Sequence, residues 1–99
     1  MPQISMGGFL KFCESLRGEE VCTIKRRAKF TVEVIDAGLE FIPLATGKPR
    51  LHRMPYVKGV LEIFNKNQSF VVRDYNHYTV NASYQLALIQ RYITSSCAV

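Results

Sequence analysis

Phe30-Thr31-Val32-Glu33-Val34-Ile35-Asp36-Ala37-Gly38-Leu39-Glu40-Phe41-Ile42 is the stretch that decides the fold. Phe30, Val32 and Val34 alternate with Thr31, Glu33 and Ile35, which puts an apolar face on an extended chain at the two-residue period of a strand. Asp36-Ala37-Gly38 supplies turn residues, with Gly38 able to take positive φ, and Leu39 to Ile42 continue as a second extended run. Pro43, which has no N–H to give a ladder, closes that run or marks an edge.

Upstream, Val21-Cys22-Thr23-Ile24 is a short β-prone run that stops at Lys25-Arg26-Arg27-Ala28-Lys29, a basic hairpin loop. Three sequential strands joined by short connections favour a meander. Before them, Ser5 can cap a helix in which Phe9, Phe12, Cys13 and Leu16 share one face, with Gly18 as its stop. After them comes Thr46-Gly47-Lys48-Pro49-Arg50-Leu51-His52-Arg53, read as a basic loop leading from the sheet to a second helix. That helix is expected over Met54 to Asn65, with Val57, Val60, Leu61 and Phe64 on one face and Pro55 in its first turn.

Gly59 lies inside the second helix at a cost of about 1 kcal/mol, for which close approach to another element is the usual reason. Lys66 to Thr79 reads as an ordered loop packed down by Tyr75 and Tyr78, with a short strand at Val71-Val72 as an option. Thr79 or Asn81 can cap a last helix whose Ala82, Leu86, Ile89 and Ile93 face one way while Tyr84, Leu88 and Tyr92 fill the next arc. So broad an apolar arc marks a central helix, and Thr94 to Val99 reads as a frayed tail. The expected architecture is therefore one α+β domain over residues 1–99, a three-stranded antiparallel meander packed on one face by three helices in the order α-β-β-β-α-α.

Composition agrees with a single packed domain. Ninety-nine residues, 47% of them hydrophobic and including six Phe and five Tyr, bury roughly 60 to 65% of the unfolded surface and fold without staples. Cys13, Cys22 and Cys97 match neither a zinc nor a Cys-x-x-Cys spacing and read as reduced thiols. There is no secretory leader pattern at the start and no stretch of about 20 apolar residues, so a cytoplasmic protein without membrane contact is expected.

The net charge of +5 favours a polyanionic partner. In a meander the turns alternate between the two ends of the sheet, which places Lys25, Arg26, Arg27 and Lys29 at the same end as Lys48, Arg50, His52 and Arg53. Seven of the thirteen Lys and Arg side chains are then expected together, with Glu19, Glu20 and Asp36 at the opposite end. Thr46 adds a neutral donor and Gly47 room for close backbone approach, a set suited to phosphates.

No catalytic constellation accompanies it. Glu33 and Glu40 lack a lysine two residues on, as a small metal nuclease would need, and His52 and His77 lack partner spacings for acid–base or nucleophilic work. Nothing in the sequence gives a basis for a cofactor. Over about the first 65 residues the order helix, three strands, helix resembles the double-stranded-RNA-binding domain. That family's Lys-Lys-x-Ala-Lys entry to the last helix is replaced here by Met54-Pro55-Tyr56-Val57-Lys58, so its RNA sites are not carried over. The expected function is a non-catalytic module binding nucleic acid, duplex DNA before RNA, through Lys25, Arg26, Arg27, Lys29, Thr46, Lys48, Arg50, His52 and Arg53. The alternative is a protein-interaction module, an inhibitor or adaptor of mobile-element or phage type, acting through its acidic end or a sheet edge, with homodimerisation as an associated expectation.

Overall fold

The structure is a computed structural model and describes residues 3–97. It is an α+β domain of three α-helices and one antiparallel sheet, and the sheet has four strands rather than three. The order is α1 (Met6–Ser15), β1 (Val21–Cys22), β2 (Lys29–Ile35), β3 (Gly38–Pro43), β4 (Arg50–Arg53), α2 (Met54–Asn67), a single 3-10 turn (Val72–Asp74) and α3 (Ala82–Cys97). The strands lie in sequence order, β1-β2-β3-β4, as the meander requires.

The additional strand comes from the basic segment expected as loop. Arg50 to Arg53 pairs with β3 in the register Gly38 to Arg53, Leu39 to His52, Glu40 to Leu51 and Phe41 to Arg50. The ladder and the burial of one side chain in four outweigh the polarity of the two arginines, the tertiary override to which short strands are most open. β1 is correspondingly shorter than expected, because Thr23 turns the chain after only two residues.

Burial follows the alternation. Phe30, Val32, Leu39, Phe41 and His52 are buried on one face, whereas Thr31, Glu33, Glu40 and Ile42 on the other are half-exposed. The covered face meets Phe9 and Cys13 of α1, Val57, Val60, Leu61 and Phe64 of α2, and five consecutive buried residues of α3, Gln85 to Ile89. That unbroken run makes α3 the central helix that its wide apolar arc announced.

Two glycines hold close crossings. Gly38 has φ +149, and a Cβ there would run into the backbone carbonyl of His52 on the neighbouring strand. At Gly59 a Cβ would overlap the ring of Tyr78, whose hydroxyl donates to Pro55 O at 2.9 Å.

The segment between α2 and α3 forms no strand at Val71-Val72 and is pinned instead by Tyr75. Its ring is fully buried and its hydroxyl donates to Ser69 O at 2.6 Å, and burial, reinforced by the carboxylate of Asp74, pushes its pKa up to about 12. α3 continues through Thr94 to Cys97 rather than fraying at Thr94, and Ala98 and Val99 lie outside the described residues. Cys13 is buried, its thiol pushed up to about 12 by desolvation, and Cys22 is half-buried. Both are free thiols, whereas the side chain of Cys97 lies outside what is described. No helix of the described residues is long and apolar enough to cross a membrane.

Candidate nucleic-acid interface

Thr23 builds the first basic loop. It is buried, its N–H donates to Ala28 O at 2.9 Å, its Oγ1 accepts from Ala28 N at 3.0 Å, and its carbonyl accepts from Arg27 N at 3.1 Å. Closing so tight a loop puts Arg27 at φ +58, the left-handed region that β-carbon-bearing residues seldom occupy. Lys25, Arg26 and Arg27 are all exposed on it.

The second basic loop joins β3 to β4. Gly47 N donates to Pro43 O at 2.8 Å and Lys48 N to the Thr46 hydroxyl at 3.2 Å, so Thr46 shapes the loop in addition to lying on it. Leu44 N donates to Lys29 O at 3.0 Å, which ties this loop to the first residue of β2. Both loops leave the sheet at the same end, in neighbouring hairpins whose centres are about 10 Å apart, two strand spacings. That is close to one Debye length at physiological salt, so their fields add.

Lys25, Arg26, Arg27, Lys29, Lys48 and Arg50 thus share one end. Five of them have no described carboxylate within ion-pair distance. Lys29 has Glu20 at 3.8 Å across an exposed contact, which is worth little. The guanidinium of Arg50 sits 6.0 Å over the ring of Tyr84.

Three expectations are corrected. Arg53 is at the other end of β4, opposite Gly38 beside the β2–β3 turn, because a strand and not a loop separates it from Arg50. His52 is buried at 1% exposure on the core face between them, its ring tilted by 36° to that of Phe41 with centroids 5.3 Å apart. Glu20 belongs to the basic end through Lys29, and Glu19 ion-pairs with Arg91 at 3.0 Å. Of the expected acidic trio only Asp36 lies at the far end, so the molecule is less polarised than a full separation of charge would make it.

His52 is held by a pair that the sequence reading did not include. Gln85 Nε2 donates to Val57 O at 2.9 Å, which leaves Gln85 Oε1 as the acceptor facing His52 Nε2 at 2.6 Å. Burial lowers the pKa of His52 below its ordinary value, and the hydrogen bond to Gln85 offsets part of that. A signal was present in Gln85 itself, a polar residue in the middle of the apolar arc of α3, where a buried amide needs a partner.

The protein is therefore a small α+β domain with a cationic end on a four-stranded antiparallel meander. No family model matches the chain, and neither a curated protein nor a solved structure is significantly similar to it.

Proposed function

We propose that this domain binds nucleic acid through the cationic end of its sheet, with Lys25, Arg26, Arg27, Lys48 and Arg50 contacting phosphates and Lys29 and Thr46 at the margin. The supporting observation is the convergence of two loops from alternate hairpins of one sheet, whose centres are about 10 Å apart and which carry five cations with no described carboxylate within ion-pair distance.

Association through a sheet edge draws less support. One edge strand, β1, has two residues, and on the other the Leu51 carbonyl already accepts from Asn81 Nδ2 at 3.3 Å. Electrophoretic retardation with duplex DNA, single-stranded DNA and RNA at low salt tests the reading. Saturable binding that is lost in the Lys48→Glu, Arg50→Glu double variant is expected, and binding unaltered by that variant sinks the proposal.

A further inference from the structure

Large apolar side chains that reach solvent are not spread evenly over this surface. Among the described residues there are five, Leu44, Leu51, Tyr56, Val71 and Val80, and Val80 is 79% exposed. Three of the five, Leu51, Tyr56 and Val80, border one cavity of about 340 Å³ between β4, the start of α2 and the segment before α3. Single exposed apolar residues need no explanation, whereas several gathered around one concave opening mark a place that receives another molecule.

The walls are tied together by hydrogen bonds. Asn81 Nδ2 donates to Leu51 O at 3.3 Å, joining the segment before α3 to β4, and the Tyr78 hydroxyl donates to Pro55 O at 2.9 Å, joining it to α2. Tyr56 meets the Tyr78 ring edge-on, with centroids 5.4 Å apart. The opening is therefore built before a partner arrives, which spares the ordering cost of forming it. Because the Leu51 carbonyl is already taken, this edge of the sheet receives side chains more readily than an added strand.

Charge narrows what those side chains are. Among the described residues Arg53 is the one charged side chain of the wall. It is exposed and has no described carboxylate within ion-pair distance, Asp36 on the nearby β2–β3 turn included. An apolar rim with one free cation matches a large apolar side chain that has a carboxylate beside it, and the net charge of +5 draws an acidic partner towards the surface. A nucleic-acid strand matches less well, since a single cation neutralises a single phosphate and gives a salt slope of only about −0.7.

We propose that this cavity docks a partner protein through a short acidic segment, one large apolar side chain of which sits among Leu51, Tyr56 and Val80 while a flanking carboxylate pairs with Arg53. The apolar contact supplies most of the affinity and the ion pair the choice of partner. The site lies about 10 Å along β4 from Arg50 and does not rest on nucleic-acid binding at the cationic end.

NMR titration of the intact chain tests it, with short end-blocked peptides that each carry one Leu, Ile, Met or Phe flanked by glutamates. The same peptides flanked by lysines, a glutamate peptide with Ala in the central place, and oligo-dT are the comparison probes. Glutamate-flanked peptides are expected to shift the resonances of Leu51, Tyr56 and Val80 saturably, the best of them binding about tenfold more tightly than the Ala peptide. Val80→Ser, at the most exposed of the three positions, is expected to weaken that binding about fivefold with the fold's spectrum intact. Arg53→Glu is expected to weaken the glutamate-flanked peptides about fivefold, the scale of one exposed ion pair, and to strengthen the lysine-flanked ones. Lys48→Glu with Arg50→Glu is expected to leave peptide binding unchanged at physiological salt, where charges a Debye length away are largely screened. No saturable shift with any glutamate-flanked peptide, equal affinity for the glutamate- and lysine-flanked sets, or a loss in the double variant as large as that in Arg53→Glu overturns the proposal. Shifts of these three residues by oligo-dT and not by the peptides also overturn it, in favour of a nucleic-acid strand.

Discussion

Arg27 carries the sharpest conflict between local backbone and side-chain charge. At φ +58 a glycine or asparagine would be less strained, by about 1 to 2 kcal/mol before the glycine's larger unfolded-state entropy is subtracted. Strain of this kind gathers at working sites, and here it keeps a guanidinium at the tip of a loop. Arg27→Gly is therefore expected to raise stability by up to about 1 kcal/mol in chemical denaturation while weakening nucleic-acid binding, so that the two readouts move in opposite directions. His52 makes a second residue-scale prediction. Its folded pKa is lowered, by burial first, so the unfolded chain takes up the proton before the folded one does. Stability should then fall as pH drops below about 6.5, the unfolded value, by at most about 1.4 kcal/mol per pH unit, and His52→Phe should remove that component when the two chains are compared by urea titration between pH 7.5 and 5.

At the scale of elements, the crossing of α2 with the segment before α3 decides what Gly59 is for. In an open helix Gly→Ala stabilises by about 1 kcal/mol, but a Cβ at Gly59 would overlap the Tyr78 ring. Gly59→Ala is expected to destabilise by about 1 to 3 kcal/mol, and in a Tyr78→Ala background the same change should become neutral or stabilising, a sign reversal that a double-mutant cycle reads directly. The other end of α2 is joined to the N-terminal segment chiefly through Asn65, whose backbone carbonyl also accepts from Gln3 Nε2 at 3.0 Å. Asn65 Oδ1 accepts from Ile4 N at 2.8 Å and its Nδ2 donates to Ile4 O at 3.0 Å, so Asn65→Ala leaves both backbone groups of Ile4 unpaired and is expected to cost about 1 to 3 kcal/mol in thermal or chemical unfolding.

The helices and the β2–β3 hairpin were legible because their periods run for six residues or more and their apolar faces are strongly biased. The reason for Gly59 was legible in kind, though not that Tyr78 was the partner. β4 was not. Four residues with two arginines offer little alternation to read, and only Leu39 and Phe41 across the ladder, which no local window contains, make Arg50 to Arg53 extended.

For the molecule as a whole, that misread strand matters more than its length suggests. The sequence placed seven cations in one cluster, and the meander keeps six of them together. The four-residue rise of β4 carries Arg53 about 10 Å away, onto the opposite face of the sheet, and seals His52 into the core. Part of the expected interface thus became the wall of a cavity. The burial of His52 had its trace in Gln85, but the link between them spans α2 and could not be drawn from spacing.

The same displacement supplies the most direct test of the cationic end. Binding of a fluorescently labelled duplex is measured by anisotropy over a series of salt concentrations for the natural chain, Arg50→Glu and Arg53→Glu, two reversals of equal charge at opposite ends of one strand. With five phosphate contacts the natural chain should show a log–log slope of about −4 to −5. Arg50→Glu should weaken binding and make that slope shallower by about 1, whereas Arg53→Glu should leave it unchanged. Equal effects of the two reversals, or none from either, would contradict a binding surface at the end of the sheet where the two loops meet.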